Sequence, residues 1–217
     1  MKLKGAIFDL DGVIVDTVPL HFKAWKRMFS GYGREFTFED YKNKIDGIPR
    51  ISGAKAILTG LSEEELRKAG GKKQDYFLEL LTQEGIKVYS GTLDLIKQLK
   101  QNNIRVGVIS SSKNCLPILK KQGIDNLFEV IITGFDIKKG KPDPEVFFSA
   151  SQKLKLSPEE CIVFEDAVLG VEAAKRGNFR CVGIDRYREP ARLAKADLVV
   201  NDLSEVNLER LKELYNG

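Results

Sequence analysis

A chain of 217 residues with 42% hydrophobic and 30% charged residues is long and apolar enough to build a sizeable core, which excludes disorder as its main state. Lys and Arg number 35 against 31 Asp and Glu, and a net charge of +4 is too mild to mark a dedicated polyanion binder. A single histidine excludes a His-rich zinc site and argues against a Ser-His-Asp triad.

In chain order, short β-branched runs alternate with helix-like stretches. The spacing predicts strands over residues 5–8, 105–110, 130–133, 161–165, 180–184 and 198–200. Such alternation implies βαβ units and an α/β fold with a parallel, Rossmann-like sheet. Continuous apolar runs such as Cys161-Ile-Val-Phe suit strands buried on both faces. Between about 18 and 87 no strand pattern occurs. Helices are predicted there over 21–29, 38–45, 52–58 and 62–84, the last opening on Ser62 followed by three glutamates. The expected organisation is a core of residues 1–15 and 89–217 with a helical cap of 16–88 inserted after the first strand. The chain crosses between the two parts twice, which suggests a hinge.

The strongest local signal is Phe8-Asp9-Leu10-Asp11-Gly12-Val13 at the end of the first strand. Ligands of open parallel sheets bind off the carboxyl ends of the strands. Two acids spaced i, i+2 at such an end aim at one small target, and a cation such as Mg²⁺ is expected between them and any phosphate. Taken alone, the fragment also fits an ordinary polar turn with a capping aspartate. Later strand ends supply further groups. Ser110-Ser111-Ser112-Lys113-Asn114 offers hydroxyls and N–H donors where a helix begins. Lys141 precedes the stiff Pro142-Asp143-Pro144, and Glu165-Asp166 closes the strand over 161–165. Each of these has a bland reading as a helix cap or a solvated charge. In order, at successive strand tips, they converge on one crevice.

On these residues the whole chain resembles the haloacid dehalogenase superfamily, and within it the β-phosphoglucomutase-like branch with its helical cap. The resemblance implies that Asp9 is the nucleophile and Asp11 the general acid/base. It implies that Ser110 and Lys141 bind the transferring phosphoryl group. It also implies a Mg²⁺ site formed by Asp9, the Asp11 backbone carbonyl, Asp166 and Glu165. A dehalogenase needs neither Mg²⁺ nor Asp11, so Asp11 argues for phosphoryl transfer. In the cap, His21 resembles a histidine that helps hold the general acid in sugar mutases, and Lys72 aligns with its lysine partner. Trp25, beside His21, reads as core. Gly47 and Arg50 resemble the family's specificity loop, with Ser112, Lys113 and Asn114 as core-side partners for a second phosphate and Ser111 as a further substrate-binding candidate.

There is one departure. Sugar mutases usually carry lysine just before the cap glycine, and this chain has Asp46. A carboxylate repels phosphate and favours sugar hydroxyls. The expected activity is therefore Mg²⁺-dependent hydrolysis of a small phosphosugar through an aspartyl phosphate. The alternative is a β-phosphoglucomutase interconverting β-glucose 1-phosphate and glucose 6-phosphate, favoured by Arg50 and by Ser112, Lys113 and Asn114. A non-catalytic phosphometabolite-binding relative would be expected to lack Asp9, Asp11 or Asp166. Lys72-Lys73, Lys120-Lys121 and Lys138-Lys139 are scattered doublets without interleaved aromatics, so no nucleic-acid partner is expected. No apolar run approaches the roughly 18 residues of a membrane span. Asp9 and Asp11 interrupt the first apolar stretch too early for a signal peptide. Cys115, Cys161 and Cys181 form no Cys-x-x-Cys pair and suit a reducing compartment. The expectation is a cytoplasmic monomer whose partner is a small phosphorylated sugar.

Overall fold

A computed structural model describes residues 2–215 and divides the chain into two compact units, residues 1–15 with 88–217 and residues 16–87. In the first unit, β1 (Gly5–Asp9) pairs in parallel with β4 (Arg105–Ile109) on one side and β6 (Cys161–Glu165) on the other. The sheet is completed by β5 (Val130–Ile132), β7 (Arg180–Ile184) and β8 (Leu198–Val200), in the order β5-β4-β1-β6-β7-β8. The strands are buried because helices cover them, as their unbroken apolar runs require. The Ile7, Ile109, Ile132 and Val163 side chains form one cluster with Phe147 and Ala150 of α7 (Glu145–Lys153) and with Val171 and Ala174 of α8 (Val168–Arg176). The other helices of this unit are α5 (Ser90–Gln101), α6 (Cys115–Lys121) and α9 (Leu208–Glu213). No described helix is long and apolar enough to cross a membrane.

Register brings the chemistry to one edge. Asp9 lies opposite Ile109, and Phe8 opposite Phe164, whose rings stack 4.3 Å apart at 8°. The last residues of β1 and β6 therefore end level with each other. Strand order reverses around β1, which leaves a crevice at the carboxyl ends of β4, β1 and β6.

The second unit is helical: α1 (Val18–Ser30), α2 (Phe38–Asp40), α3 (Arg50–Ile57) and α4 (Glu63–Glu84). Trp25, Met28 and Phe29 of α1 pack with Phe36, Tyr41, Ile45, Leu66 and Ala69 into its core. The Ser62 hydroxyl accepts from the Glu65 N–H at 3.3 Å while the Glu65 carboxylate accepts from the Ser62 N–H at 2.8 Å, a reciprocal cap that starts α4. The single helix expected over 38–45 differs: after α2, residues Tyr41–Ile45 form a wider π-helical turn, closed by Asp46 N–H donating to the Tyr41 carbonyl at 2.9 Å. Two-residue strands β2 (Val15–Asp16) and β3 (Lys87–Val88) pair where the chain passes between the units.

Candidate active site

Four charged side chains meet, buried, at the strand tips of the sheet unit. Asp9 ends β1, Glu165 ends β6, Asp166 follows it, and Lys141 comes from the loop before α7. Lys141 Nζ donates to Asp9 Oδ1 at 2.8 Å and also bonds Glu165 Oε1. Carboxylate oxygens of Asp9, Glu165 and Asp166 lie within 4.8 Å of one another. Glycines make this crowding possible. A Cβ on Gly12, whose φ is +74°, would fall 1.7 Å from Asp166 Oδ2, and one on Gly170 would fall 2.1 Å from the Glu165 carboxyl carbon.

The electrostatics follow from the count. Burial pushes the Asp9 carboxyl well above the usual carboxylate range; Lys141 opposes this, and Glu165 and Asp11 add to it. For Lys141, burial alone would lower the pKa, but Asp9 and Glu165 outweigh it, so the side chain is held as an ammonium. Counted fully ionised, one ammonium and three carboxylates carry a formal charge of −2 among buried side chains, the state that a divalent cation would favour by opposing the upward shift of Asp9. A divalent cation balances it, and an all-oxygen donor set suits a hard ion such as Mg²⁺. The residues therefore fit the metal.

Asp11 stands at the edge of this cluster. Its Oδ2 accepts from the Ser110 hydroxyl at 3.0 Å, and Ser110 Oγ accepts from the Ser112 N–H at 3.0 Å. The Ser112 hydroxyl accepts from the Asn114 N–H at 3.1 Å, so residues 110–114 form a loop stitched by its own side chains. Within it, Ser111 Oγ is buried without a hydrogen-bond partner among the described residues. Lys113 is exposed, its Nζ 4.7 Å from the centre of the Phe135 ring. The structure thus brings Asp9, Asp11, Ser110, Lys141, Glu165 and Asp166 together and hangs Ser111, Ser112, Lys113 and Asn114 on the adjoining loop.

The helical unit holds the other candidates. His21 stacks on Phe77 with ring centres 4.2 Å apart, and its Nδ1 lies 2.7 Å from the Nζ of Lys73. This corrects the assignment of Lys72 as the partner of His21. Lys72 is exposed, its Nζ 5.5 Å from the centre of the Tyr32 ring. The reason is helical phase: one residue along α4 turns a side chain by about 100°, and Lys73 shares its face with buried Phe77. Spacing alone does not separate the two, since Lys72 stands four residues before Tyr76 as Lys73 does before Phe77. Gly47 takes a φ of +76° in the turn before α3, and Arg50 begins α3, donating from Nη1 to Gln74 Oε1 at 2.7 Å. Burial lowers the Arg50 pKa, and nearby Asp75 resists that shift. Trp25 is core.

Comparison with known proteins gives the family. The chain is 34% identical to the β-phosphoglucomutase of Bacillus subtilis (strain 168), over 97% of this chain and 95% of that protein. It is 32% identical to the phosphorylated carbohydrates phosphatase of Thermotoga maritima, over 80% of this chain and 81% of that one. The crystal structure of β-phosphoglucomutase from Clostridium difficile superposes with a TM-score of 0.90 at 31% identity, covering 99% of this chain and 97% of that chain. The family model of the haloacid dehalogenase-like hydrolases matches residues 6–184. This chain is therefore an enzyme of the haloacid dehalogenase-like hydrolase family, in its β-phosphoglucomutase-like branch.

Proposed function

We propose that the protein is a Mg²⁺-dependent phosphohydrolase of a small phosphosugar that works through an aspartyl phosphate on Asp9. The observation that carries this reading is the buried Asp9–Lys141 pair inside a three-carboxylate cluster. A phosphate monoester is a dianion and Asp9 an anion. Two unit charges 4 Å apart repel by about 4 kcal/mol at an effective dielectric of 20. Lys141 offsets part of that. Asp9, the Asp11 carbonyl and Asp166 would hold Mg²⁺, which when bound supplies two positive charges beside the phosphoryl group.

In the first step an Asp9 oxygen forms a bond to phosphorus as the bond to the sugar oxygen breaks, and Asp11 gives that oxygen a proton. In the second, Asp11 takes a proton from water, the water oxygen attacks phosphorus, and Asp9 is released with inorganic phosphate. Ser110, donating to the Asp11 carboxylate, orients it for both transfers. Lys141 is held as an ammonium by the Asp9 and Glu165 carboxylates before reaction, and by Glu165 and the dianionic phosphoryl group once Asp9 carries it.

Asp46, which precedes the cap glycine, and Asp75, which acts on the Arg50 charge, favour hydrolysis over mutase chemistry, since a carboxylate disfavours a second phosphate beside it. The His21–Lys73 contact supports the mutase reading, as do the relatives named β-phosphoglucomutase. The two are separated by supplying β-glucose 1-phosphate with and without glucose 1,6-bisphosphate and measuring free phosphate and glucose 6-phosphate. Free phosphate from a panel of sugar phosphates supports hydrolysis. Glucose 6-phosphate without phosphate release overturns it in favour of the mutase.

A further inference from the structure

Arg186 lies just beyond the carboxyl tip of β7, two strands from β1 in the sheet, and its side chain reaches back to the Asp9–Gly12 loop. Its Nε donates to the Gly12 carbonyl oxygen at 2.7 Å. Nη1 reaches the Asn201 carbonyl at 3.3 Å and Asp202 Oδ2 at 3.2 Å, both beyond the tip of β8. The guanidinium carbon sits 3.7 Å from the centre of the Tyr89 ring. Only 14% of the side chain is exposed. Its own backbone is fixed as well: the Asp185 N–H donates to the Val200 carbonyl at 2.7 Å, and the Arg186 N–H to the Ile184 carbonyl at 3.1 Å.

The shortest of the three hydrogen bonds is the one to Gly12, and that choice has consequences. Glycine has no side chain to restrain it and the widest backbone freedom. Gly12 is held on three sides instead. Its N–H donates to the Val15 carbonyl at 2.8 Å, its carbonyl accepts from Arg186, and the Asp166 carboxylate fills the place of its missing Cβ. In a trans peptide the Asp11 carbonyl points opposite the Gly12 N–H. Fixing Gly12 therefore fixes both the direction of the Asp11 carbonyl and the stem of the Asp11 carboxylate. Meanwhile Arg186 Nη2 is buried without a hydrogen-bond partner among the described residues.

We propose that Arg186 is a positioning residue for phosphoryl transfer: by clamping the Gly12 carbonyl it sets the Asp11 carbonyl and carboxylate in their working directions. This rests on the phosphoryl-transfer reading above. It acts through Gly12 and touches neither substrate nor metal.

The test compares wild type with Arg186→Ala and Arg186→Lys. In Arg186→Ala, kcat for a sugar phosphate falls about 10-fold or more while KM stays within about 2-fold, and Mg²⁺ affinity, measured by calorimetry without substrate, weakens about 10-fold. Added ethylguanidinium restores part of the lost kcat. A folded Arg186→Ala with wild-type kcat and wild-type Mg²⁺ affinity overturns the inference. If Arg186→Ala does not fold, Arg186→Lys carries the test, because an ammonium lacks the rigid fork that serves Gly12 and Asp202 together. A fall in its kcat of about 5-fold or more at unchanged KM supports the clamp, and a wild-type kcat overturns it. Wild-type protein that neither binds Mg²⁺ nor turns over any phosphosugar overturns the functional reading, and the Arg186 role with it.

Discussion

Lys73 Nζ lies 2.7 Å from Nδ1 of His21, under an imidazole that stacks on Phe77. Lys73 is almost wholly buried and its neighbour Lys72 is exposed, so the two lysines of α4 are chemically unlike despite being adjacent. Lys73→Ala is expected to lower kcat/KM about 10-fold or more, whereas Lys72→Ala leaves it within about 2-fold. Steady-state kinetics on one sugar phosphate reads both. Equal effects of the two substitutions would contradict a role for the His21 contact.

Asp9→Asn keeps the size of the side chain and removes the nucleophile proposed above. Turnover is expected to fall below detection with the far-ultraviolet circular dichroism spectrum unchanged. The Lys141 contact to Glu165 persists, so the lysine is not left buried and unpaired. Turnover near wild type in a folded Asp9→Asn protein would remove Asp9 from the reaction.

Metal removal has two readouts. Exhaustive chelation is expected to abolish turnover, and Mg²⁺ added back to restore it. An ion that binds the folded state alone also raises the melting temperature, by about 2.7 kcal/mol of stabilisation at 100 times its dissociation constant. Asp166→Asn should abolish both the thermal shift and the turnover. A shift retained in that variant would place the ion elsewhere.

Acid stability is expected to depend on the cap of α4. Hydrogen bonds from the Ser62 hydroxyl and N–H hold the Glu65 carboxyl below its ordinary 4.5. A carboxyl whose folded pKa is depressed stabilises above its unfolded pKa, and the contribution fades as pH falls through 4.5 towards the folded value. Melting temperatures of wild type and Glu65→Gln should therefore differ near pH 7, draw together as the pH falls below 4.5, and meet once it passes the depressed folded-state value. Parallel curves would show that the carboxylate adds nothing as a charge.

The sheet was legible where its strands are continuous apolar runs ended by polar residues, as at 161–165 and 180–184, because burial on both faces leaves no other pattern. The same strand ends carried the acidic pairs, so position and chemistry were read together. Helical phase was harder. An apolar spacing does not distinguish an α-helix from the π-turn at Tyr41–Ile45, where one extra residue enters the turn. Two neighbouring lysines could not be told apart until α4 was seen to bury Phe77. Arg186 carried no signal, because its role depends on a carbonyl 174 positions earlier in the chain.

Of the six strands of the sheet, β1 is the first to be made and waits longest in the chain for both its neighbours. Gly5–Asp9 waits for Arg105–Ile109 on one side and for Cys161–Glu165 on the other, while residues 16–87 form a contiguous unit able to pack first. On the ribosome, an apolar pentapeptide stays without one of its partners until Cys161–Glu165 has emerged, a window open to chaperones and to aggregation. Pulse-labelled amides of Gly5–Asp9 are expected to gain protection together with those of Cys161–Glu165, and after those of Glu63–Glu84. Earlier protection of the pentapeptide would show that it finds shelter elsewhere first.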